Sequence, residues 1–352
     1  MAFRVLILGA SYGSLLGTKL AMAGHDVTLV CRHATADLIN SQGTEVRIKL
    51  RGEETHRAIR SDTLPGKISA ATPAAVDVSS YDMVGLAMQE PQYRSEEIRD
   101  LLARIASARI PCLSIMNMPP LPYLKRIPGL AADALRDAFV CPDVWNGFDP
   151  ELVTLCSPDP QAFRPPEEAA NVLHVGLPTN FKAAGFSDPA LNAMLTQMQD
   201  DIAAVTLDGS DVPVKLKVFD SLFVPLAKWS MLLTGNYRCV MANGVRPIRD
   251  AVHGDLAASE RIYAHVDAIA ARLGADPADQ VPFAKYAKAA ENLIKPSSVA
   301  RAIDAGTAHV ERVDRLVQRL AHTLNMPLDE IDRTVETMDA RLETNADRMA
   351  AA

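Results

Sequence analysis

Three glycines spaced four residues apart constrain this sequence more than any other feature. Gly9, Gly13 and Gly17 directly follow Arg4–Leu8, an apolar run whose length is typical of a strand covered on both faces. A helical stretch then leads to a second β-branched run at Asp26–Cys31. The order strand, glycine turn, helix and strand within about thirty residues is the one that a dinucleotide-binding unit requires.

This glycine turn can bind a pyrophosphate for a physical reason. The N-terminus of a helix presents N–H groups and a partial positive charge, and glycines allow the backbone to approach the phosphate. We expect Gly9 to form the tight turn, and Gly13 and Gly17 to allow close approach and packing of the helix on the strand. The residues expected to line the cofactor are Gly9, Ala10, Ser11, Tyr12, Gly13 and Ser14. The alternative is an α/β domain whose turn needs glycine for folding alone.

The turn departs from the usual G-x-G-x-x-G pattern. Ser11 occupies the place of the second glycine, and the loop is one residue shorter than the pattern. Tyr12 adds a bulky ring beside the expected path of the phosphate. The sequence therefore predicts altered or weakened cofactor binding, and it leaves open whether Tyr12 blocks the cofactor or stacks on it.

The residue after the second strand indicates which nicotinamide cofactor the chain prefers. Domains that prefer NAD place an Asp or Glu there to bond the ribose hydroxyls. This chain has Cys31, Arg32 and His33 instead, with no acid. Arg32 could bind the 2′-phosphate of NADP with help from His33, so the sequence favours NADP(H). A solvated arginine at a strand end is the alternative.

The rest of the first half alternates predicted strands and helices. Tyr81–Met88 and Ile110–Met116 have the pattern of buried strands, and Arg94–Ser107 between them is an amphipathic helix. This alternation predicts a parallel, doubly wound sheet of Rossmann type, which binds ligands beyond the carboxyl ends of its strands. The strand-end residues expected near the ligand are Met88, Gln89 and Asn117.

A proline-rich segment near residues 145–170 interrupts this pattern. We expect it to be an irregular insertion, either functional or mobile. Asn171–Leu177 after it has the pattern of a strand, and His174 within that strand is expected to be a core histidine with a satisfied ring. The predicted nucleotide-binding domain comprises residues 1–208.

Residues 209–346 are predicted to form an all-helical substrate or catalytic domain. Val218–Leu233 is apolar on every side, which indicates a buried helix, and Pro225 is expected to kink it. Lys228 lies inside this run, where it is either a catalytic proton donor or a cation that reaches solvent or an ion pair. Further helices are predicted at Asp255–Leu273, Val281–Ile294, Ser298–Leu324 and Asp329–Asn345.

Composition excludes several functional classes. The net charge of −7 and the absence of a basic stripe argue against nucleic-acid binding. No apolar run reaches the length of a membrane span, so we expect no membrane partner, and the scattered cysteines favour reduced thiols in a cytoplasmic protein. The five cysteines form no C-x-x-C pair, so neither a metal site nor a disulfide framework is predicted.

In the order of its elements, most of the chain resembles the ketopantoate reductases, also called 2-dehydropantoate 2-reductases. The clearest motif runs from Gly13–Gly17 through Gly24 to Arg32 and is similar to the first βαβ unit of that family. The resemblance implies an α/β nucleotide-binding domain, a helical second domain, NADP(H) as the cofactor and a small-molecule substrate. The helical half could also support a homodimer.

The resemblance also implies roles for individual residues. Lys228 matches the family's catalytic lysine, and Asn236 matches the second asparagine of the same helix. Asn117 resembles the strand-end asparagine, and Glu311 the late glutamate. A late serine of the family corresponds to Ser298 or to Ser297, and we assign it to substrate binding at Ser298.

Two family positions differ in ways that bear on the substrate. Gln89 stands where the family has a lysine, and Leu232 where it has an asparagine. These changes make the pocket more apolar, so we expect a larger or less anionic substrate than ketopantoate. The resulting hypothesis is an NADP-dependent oxidoreductase acting on CH–OH or C=O groups, with Lys228 as acid or base. The alternative is a non-redox enzyme or a nucleotide- or ligand-binding protein that kept the fold.

Overall fold

A computed structural model describes residues 2–351, which divide into two compact units. The first unit contains the residues up to Met88, together with Gln92–Arg126 and Asp143–Asp220. The second contains Gln89–Pro91, Ile127–Pro142 and the residues from Ser221 onward. Each unit is therefore assembled from separate stretches of the chain.

The strands belong to the first unit. They are β1 (Arg4–Leu8), β2 (Asp26–Val30), β3 (Glu45–Ile48), β4 (Arg57–Arg60), β5 (Ile68–Ala71), β6 (Met83–Leu86), β7 (Cys112–Ile115), β8 (Val153–Ser157), β9 (Gln161–Phe163), β10 (Val172–Leu177), β11 (Phe181–Ala184), β12 (Thr206–Leu207), β13 (Ser210–Asp211) and β14 (Leu216–Phe219).

Helices occur in both units. They are α1 (Tyr12–Met22), α2 (His33–Gln42), α3 (Glu96–Ser107), α4 (Leu121–Leu124), α5 (Pro189–Ala204), α6 (Lys228–Met231), α7 (Ile248–His253), α8 (Leu256–Leu273), α9 (Phe283–Ala290), α10 (Ser298–Asp304), α11 (Val313–Thr323) and α12 (Asp329–Ala350).

The first unit is built on an eight-stranded sheet in the order β14-β11-β8-β7-β6-β1-β2-β5. The strands from β8 to β5 pair in parallel, and β11 runs antiparallel to β8. Residues Val5–Leu8 of β1 are fully buried, as expected for a central strand covered on both faces. The Rossmann-type sheet and the helical C-terminal region expected from the sequence are confirmed.

A second, four-stranded sheet has the order β4-β3-β10-β9. The predicted strand at Asn171–Leu177 is present as β10, and it lies in this smaller sheet. His174 is half-buried there, and its Nε2 lies 3.0 Å from Arg47 Nη1. Burial lowers the pKa of His174, and the positive charge of Arg47 acts in the same direction.

The expectation of an irregular segment over residues 145–170 is wrong for two stretches. Val153–Ser157 is buried throughout and forms β8 between β7 and β11, and Gln161–Phe163 forms β9 of the smaller sheet. The prolines flank these short strands without interrupting them. The many prolines of the segment predicted irregular structure, and the β-branched run of β8 is too short to show the alternating pattern of a strand.

The apolar run before and around Lys228 is also not one helix. Leu216–Phe219 is a strand that pairs with β11, although it was expected to be helical. Pro225 lies in the first turn of a short 3-10 helix, Val224–Ala227, so it begins a helix and does not kink one. A short run that is apolar on every side fits a buried strand as well as a buried helix.

The predicted helix Ser298–Leu324 is interrupted in its middle. α10 ends at Asp304 and α11 begins at Val313. Gly306, with φ of +93°, follows the end of α10 in the left-handed conformation that commonly stops helices. Glu311 therefore lies in a connection between two helices and not on a helix.

Candidate functional site

The turn after β1 has the geometry expected of a phosphate-binding loop. Gly9 has φ of +103°, a conformation that other residues rarely adopt. A Cβ at this position would lie 2.7 Å from the carbonyl oxygen of Ala87, so the chain passes β6 too closely for any side chain. Gly9 also donates its N–H to the carbonyl of Val30 at 3.0 Å. The turn is thus fixed between the ends of three parallel strands.

Two further glycines bring α1 against the sheet. A Cβ on Gly13 would lie 2.6 Å from Cγ2 of Ile7, and one on Gly17 would lie 3.1 Å from Cγ1 of Val27. The helix therefore packs directly on β1 and β2. Its N-terminus at Tyr12 lies at the carboxyl edge of the sheet, where its first N–H groups and its dipole favour an anion.

Tyr12 is held by the segment that joins β8 to β9. Its hydroxyl donates a hydrogen bond of 2.7 Å to the carbonyl of Pro160. Within the glycine turn, the hydroxyl of Ser14 donates a short hydrogen bond to the carbonyl of Ala10. The bulk of Tyr12 is therefore directed toward that segment, and Ser11, in the place of the usual second glycine, is the N-cap residue of α1.

The end of β2 carries a positive charge. Arg32 is exposed and precedes α2, which starts at His33. His33 forms an ion pair of 2.7 Å with Asp37 when its ring is protonated. An arginine at this position, with no acid at the end of β2, fits a nucleotide that carries a 2′-phosphate.

The remaining predicted residues of the first unit lie at the same edge of the sheet. β1, β6 and β7 are parallel and in register, so Gly9, Met88 and Asn117 each follow the carboxyl end of a neighbouring strand. The N–H of Met88 donates to the hydroxyl of buried Tyr93 at 3.2 Å. Gly9–Ser14, Arg32, Met88 and Asn117 thus lie at one edge of the sheet, whereas Gln89, predicted beside them, belongs to the second unit.

Lys228 and Asn236 of the second unit lie on an irregular helical segment. Lys228 begins the single α-turn α6, Leu232–Asn236 forms a π-helix, and Tyr237–Cys239 continues as a 3-10 helix. Eight residues of regular α-helix span about 2.2 turns, which would offset the two side chains. A π-turn contains more residues per turn, so it brings Lys228 and Asn236 closer to the same face.

Buried polar contacts hold this irregular segment in shape. Ser230 donates a short hydrogen bond to the carboxylate of Asp267, whose pKa is raised by burial. The hydroxyl of Tyr286 donates to the carbonyl of Met231 at 3.1 Å. A Cβ on Gly235 would lie 2.1 Å from that hydroxyl, so glycine is required where Tyr286 crosses the π-turn.

The two candidate serines have different environments. Ser297 is buried, donates to the carbonyl of Asn236 at 2.7 Å, and caps α10 by accepting from the N–H of Ala300 at 3.2 Å. Ser298 is exposed at the first position of that helix. The hydroxyl of Ser297 is therefore engaged in fixing the end of the π-turn, whereas that of Ser298 is accessible to solvent.

Glu311 is buried and is held by its neighbours within the second unit. Its Oε1 accepts from the N–H of Glu90 at 3.4 Å, and its carbonyl accepts from the hydroxyl of Tyr237 at 2.7 Å. The carboxylate of Glu90 in turn accepts from the N–H groups of Val140 and Cys141, at 3.1 and 2.9 Å. Glu90 thus connects Glu311 to the backbone at residues 140–141.

Several of these contacts could not be found from sequence. Glu90 and Cys141 lie far from Glu311 along the chain, and no spacing rule links them. Pro160 and Arg164, which contact the glycine turn, lie in the segment that was expected to be irregular. The signal available for Arg164 was that it is the single basic residue in a proline-rich stretch whose other charged residues are acidic.

Residues 2–351 contain no group of three or more His, Cys, Asp or Glu side chains that could hold a metal ion. Within the same residues, none of the helices combines the length and the apolar character needed to cross a bilayer. The five cysteines are unbridged.

The N-terminal part of the chain is similar to a known protein family. Residues 5–105 match the family model described as ketopantoate reductase PanE/ApbA. No curated protein matches the chain.

Solved structures with the same fold cover nearly the whole chain. The 2-dehydropantoate 2-reductase from Methylococcus capsulatus is 14% identical, with a TM-score of 0.67 and 97% of each chain covered. A D-mandelate dehydrogenase in complex with NADH is 13% identical, with a TM-score of 0.60 and coverage of 97% of this chain and 99% of that one.

The dimeric ketopantoate reductase from Staphylococcus aureus is 12% identical, with a TM-score of 0.59 and coverage of 97% and 99%. The identities are low, so these structures establish the fold and leave the substrate open. The resemblance seen in the sequence is confirmed for residues 5–105, which match the ketopantoate reductase model, and the solved structures show that the chain shares the fold of that family.

Proposed function

We propose that this protein is an NADP(H)-dependent oxidoreductase that interconverts a carbonyl compound and the corresponding alcohol. The observation that carries the proposal is the turn from Gly9 to Gly13, where a left-handed glycine and a closely packed helix present N–H groups at the edge of a parallel sheet. This turn lies within the part of the chain that matches the ketopantoate reductase model. The bound nicotinamide would supply or accept the hydride.

The choice of NADP(H) rests on the end of β2. Arg32 offers a guanidinium where NAD-preferring domains have a carboxylate. Backbone N–H groups from Ser11 to Ser14 would bind the pyrophosphate, beside Gly9 and Ala10. Met88, Gln89 and Asn117 follow strands and would contact the nicotinamide half of the cofactor. Because the related D-mandelate dehydrogenase was solved with NADH, the two cofactors are compared directly in the test below.

Lys228 would act as the general acid or base. Its ammonium group would donate a proton to the substrate oxygen as negative charge develops there, and would take it back in the oxidative direction. Asn236 would hold the same oxygen by a side-chain hydrogen bond, because the π-turn brings it toward the face of Lys228. Glu311 would accept a hydrogen bond from a substrate hydroxyl, and Ser298 would bind the distal part of the substrate.

The substrate is expected to be bulkier or less anionic than a small 2-oxo acid. Gln89 supplies no charge, and Leu232 is a buried apolar residue in the π-turn, where the family has a lysine and an asparagine. Each change removes a polar partner for a carboxylate. The candidates are therefore 2-oxo acids with large side chains and bulky ketones.

The test has two stages. NADPH and NADH are first titrated into the purified protein by calorimetry, and we expect micromolar binding of NADPH and much weaker binding of NADH. Oxidation of NADPH is then followed by absorbance with a panel of 2-oxo acids, ketones and imines. Binding without oxidation of any compound would favour a non-redox enzyme or ligand-binding protein. Failure to bind either nucleotide would contradict the proposal as a whole.

Two further properties belong to the same proposal. Five unbridged cysteines are typical of a protein in a reducing compartment, so we propose a cytoplasmic location. The related S. aureus enzyme is dimeric, and we propose a homodimer here, to be checked by light scattering after gel filtration.

A further inference from the structure

The segment between β8 and β9 crosses the nucleotide-binding turn, and we call residues 158–164 the strap. One end continues β8 of the large sheet, and the other end includes β9 of the small sheet. The strap contacts the glycine turn at two points. The carbonyl of Pro160 accepts from the hydroxyl of Tyr12, and the guanidinium of Arg164 donates a short bond to the carbonyl of Ala10.

Arg164 is thereby placed near the end of β2. Burial lowers the pKa of its guanidinium, and the positive charge of Arg32 acts in the same direction. Arg164 and Arg32 likewise oppose the rise in the pKa of Cys31 that burial produces. The hydrogen bond to Ala10 places Arg164 beside the carboxyl end of β1, and its electrostatic coupling to Cys31 and Arg32 agrees with a position near the end of β2.

No carboxylate balances these two arginines. Among residues 2–351, neither Arg32 nor Arg164 forms an ion pair, and His33 beside them pairs with Asp37. The charge of Arg32 contributes to lowering the pKa of Arg164, so the two positive charges repel each other, and an anion bound between them would relieve that repulsion. The N-terminus of α2, a helix of ten residues that begins at His33, adds a partial positive charge at the same place.

We propose that Arg164, carried by the strap, is the second cation of a phosphate-monoester site that it forms with Arg32 and the N-terminus of α2. The inference rests on the proposed binding of NADP(H) and deepens it, because the ester group bound here would be the 2′-phosphate of the adenosine. Guanidinium groups bind phosphate through two parallel hydrogen bonds, and a pair of them can enclose a dianion. The strap would therefore determine which of the two nicotinamide cofactors is bound.

A structural role for Arg164 makes a different prediction. If Arg164 served solely to hold the glycine turn through the Ala10 carbonyl, its loss would disturb the pyrophosphate site. Nucleotides with and without the 2′-phosphate would then lose affinity equally. A phosphate-binding role affects the 2′-phosphorylated ligand alone.

The experiment measures the dissociation constants of adenosine 2′,5′-bisphosphate and adenosine 5′-monophosphate by calorimetry, for the wild-type protein and for Arg164→Met. We expect Arg164→Met to weaken the bisphosphate about 10- to 100-fold, as for a lost hydrogen bond to a charged group, and the monophosphate less than about 2-fold. Arg164→Lys retains the charge and should recover part of the lost affinity. Arg104→Met is the matched control, because Arg104 also donates to backbone carbonyls, those of Val76 and Pro73, and should leave both affinities unchanged.

Each outcome decides a separate point. Equal weakening of both ligands by Arg164→Met, or no weakening of either, overturns the proposal for Arg164. A wild-type protein that binds the two ligands equally well also overturns it. A protein that shows the expected dependence on Arg164 but oxidises NADPH with no carbonyl compound supports the phosphate site and contradicts the proposed redox function, so the two failures are distinguishable.

Discussion

The two helical segments that carry the candidate functional groups are built in opposite ways. α1, at the nucleotide edge, is a regular helix of eleven residues that packs against β1 and β2 through two glycines. The segment from Val224 to Cys239 changes between 3-10, α and π geometry within a few residues of Lys228. The first presents backbone groups to a ligand, and the second presents side chains.

The difference follows from what each site must supply. A pyrophosphate is bound by N–H groups and a helix dipole, which any regular helix offers once its start is placed correctly. By contrast, a proton donor and an amide must point at one small group of the substrate. In a regular α-helix, two residues eight positions apart, such as Lys228 and Asn236, point in different directions. The π-turn corrects that mismatch at the cost of irregular backbone.

The largest effect is expected at the side-chain site. Lys228→Ala should lower kcat by a factor of about 10²–10⁴, because it removes the proposed general acid, while NADPH binding changes little. The measurement is steady-state kinetics with the substrate found in the screen, together with calorimetric titration of NADPH. Lys285→Ala, which removes an exposed lysine of the same unit, is the control and should be neutral. A Lys228→Ala variant with near-normal turnover would disprove the role given to Lys228.

At the backbone site, the sensitive position is a glycine. Gly13→Ala should lower the free energy of unfolding by about 1–3 kcal/mol, because the new Cβ would overlap Ile7 in the fully buried β1, and it should also weaken NADPH binding. Thermal unfolding and calorimetry measure the two effects. Gly176→Ala is the matched control, since its Cβ would meet no atom closer than 3.7 Å. Equal unfolding temperatures for the two variants would show that α1 can move away from the sheet.

The π-turn can be tested by a change and its compensation. Gly235→Ala should lower stability by about 1–3 kcal/mol, because the Cβ would overlap the hydroxyl of buried Tyr286. Adding Tyr286→Phe removes that oxygen and should recover part of the loss, so the double variant is more stable than the sum of the single effects. Additive effects, measured by urea unfolding, would mean that Tyr286 does not set the shape of the π-turn.

The last expected effect bears on stability and its pH dependence alone, and it concerns a buried lysine of α1. Burial lowers the pKa of Lys19 from 10.5 to about 7, with a further contribution from Lys215. The folded state therefore binds fewer protons than the unfolded state between these two values, and this group should add up to about 1.4 kcal/mol of stability per pH unit as pH rises from 7 toward 10. Below pH 7, Lys19 is protonated in the folded state as well, so the full free-energy cost of burying its charge lowers the stability of the fold.

Lys19→Met tests this pH dependence. Unfolding temperatures are measured at pH 6 and pH 9, and the variant should be more stable than the wild type at pH 6, with a smaller difference at pH 9. A difference that stays constant with pH would show that Lys19 keeps its proton in the fold, held by the carbonyls of Val212 and Pro213.

Sequence reasoning succeeded where local pattern determines structure. The first βαβ unit, including Gly9 and the packing roles of Gly13 and Gly17, followed from spacing and from the steric properties of glycine alone. It failed where short segments obtain their conformation from distant partners. Val153–Ser157 becomes a strand because β7 and β11 lie on either side of it, and Leu216–Phe219 because β11 offers an open edge.

The site residues show the same limit. Lys228 could be singled out because a cation in an apolar run is unusual, whereas the π-turn beyond it has no known signature in sequence. Arg164 and Glu90 are placed by contacts with residues more than fifty positions away, which a single sequence does not reveal. Ser297 and Ser298 likewise could be distinguished only from the structure, in which the hydroxyl of Ser297 donates to the carbonyl of Asn236.

The interleaving of the chain between the two units affects how the protein can be produced in pieces. β3 pairs with β10, more than a hundred residues later, and β14 completes the large sheet at residues 216–219. A fragment that ends at residue 208 would leave the edge of β11 unpaired and would carry residues 127–142 without the unit they belong to. During synthesis on the ribosome, the large sheet gains its last edge strand, β14, once Phe219 has emerged, so the edge of β11 stays unpaired until that point.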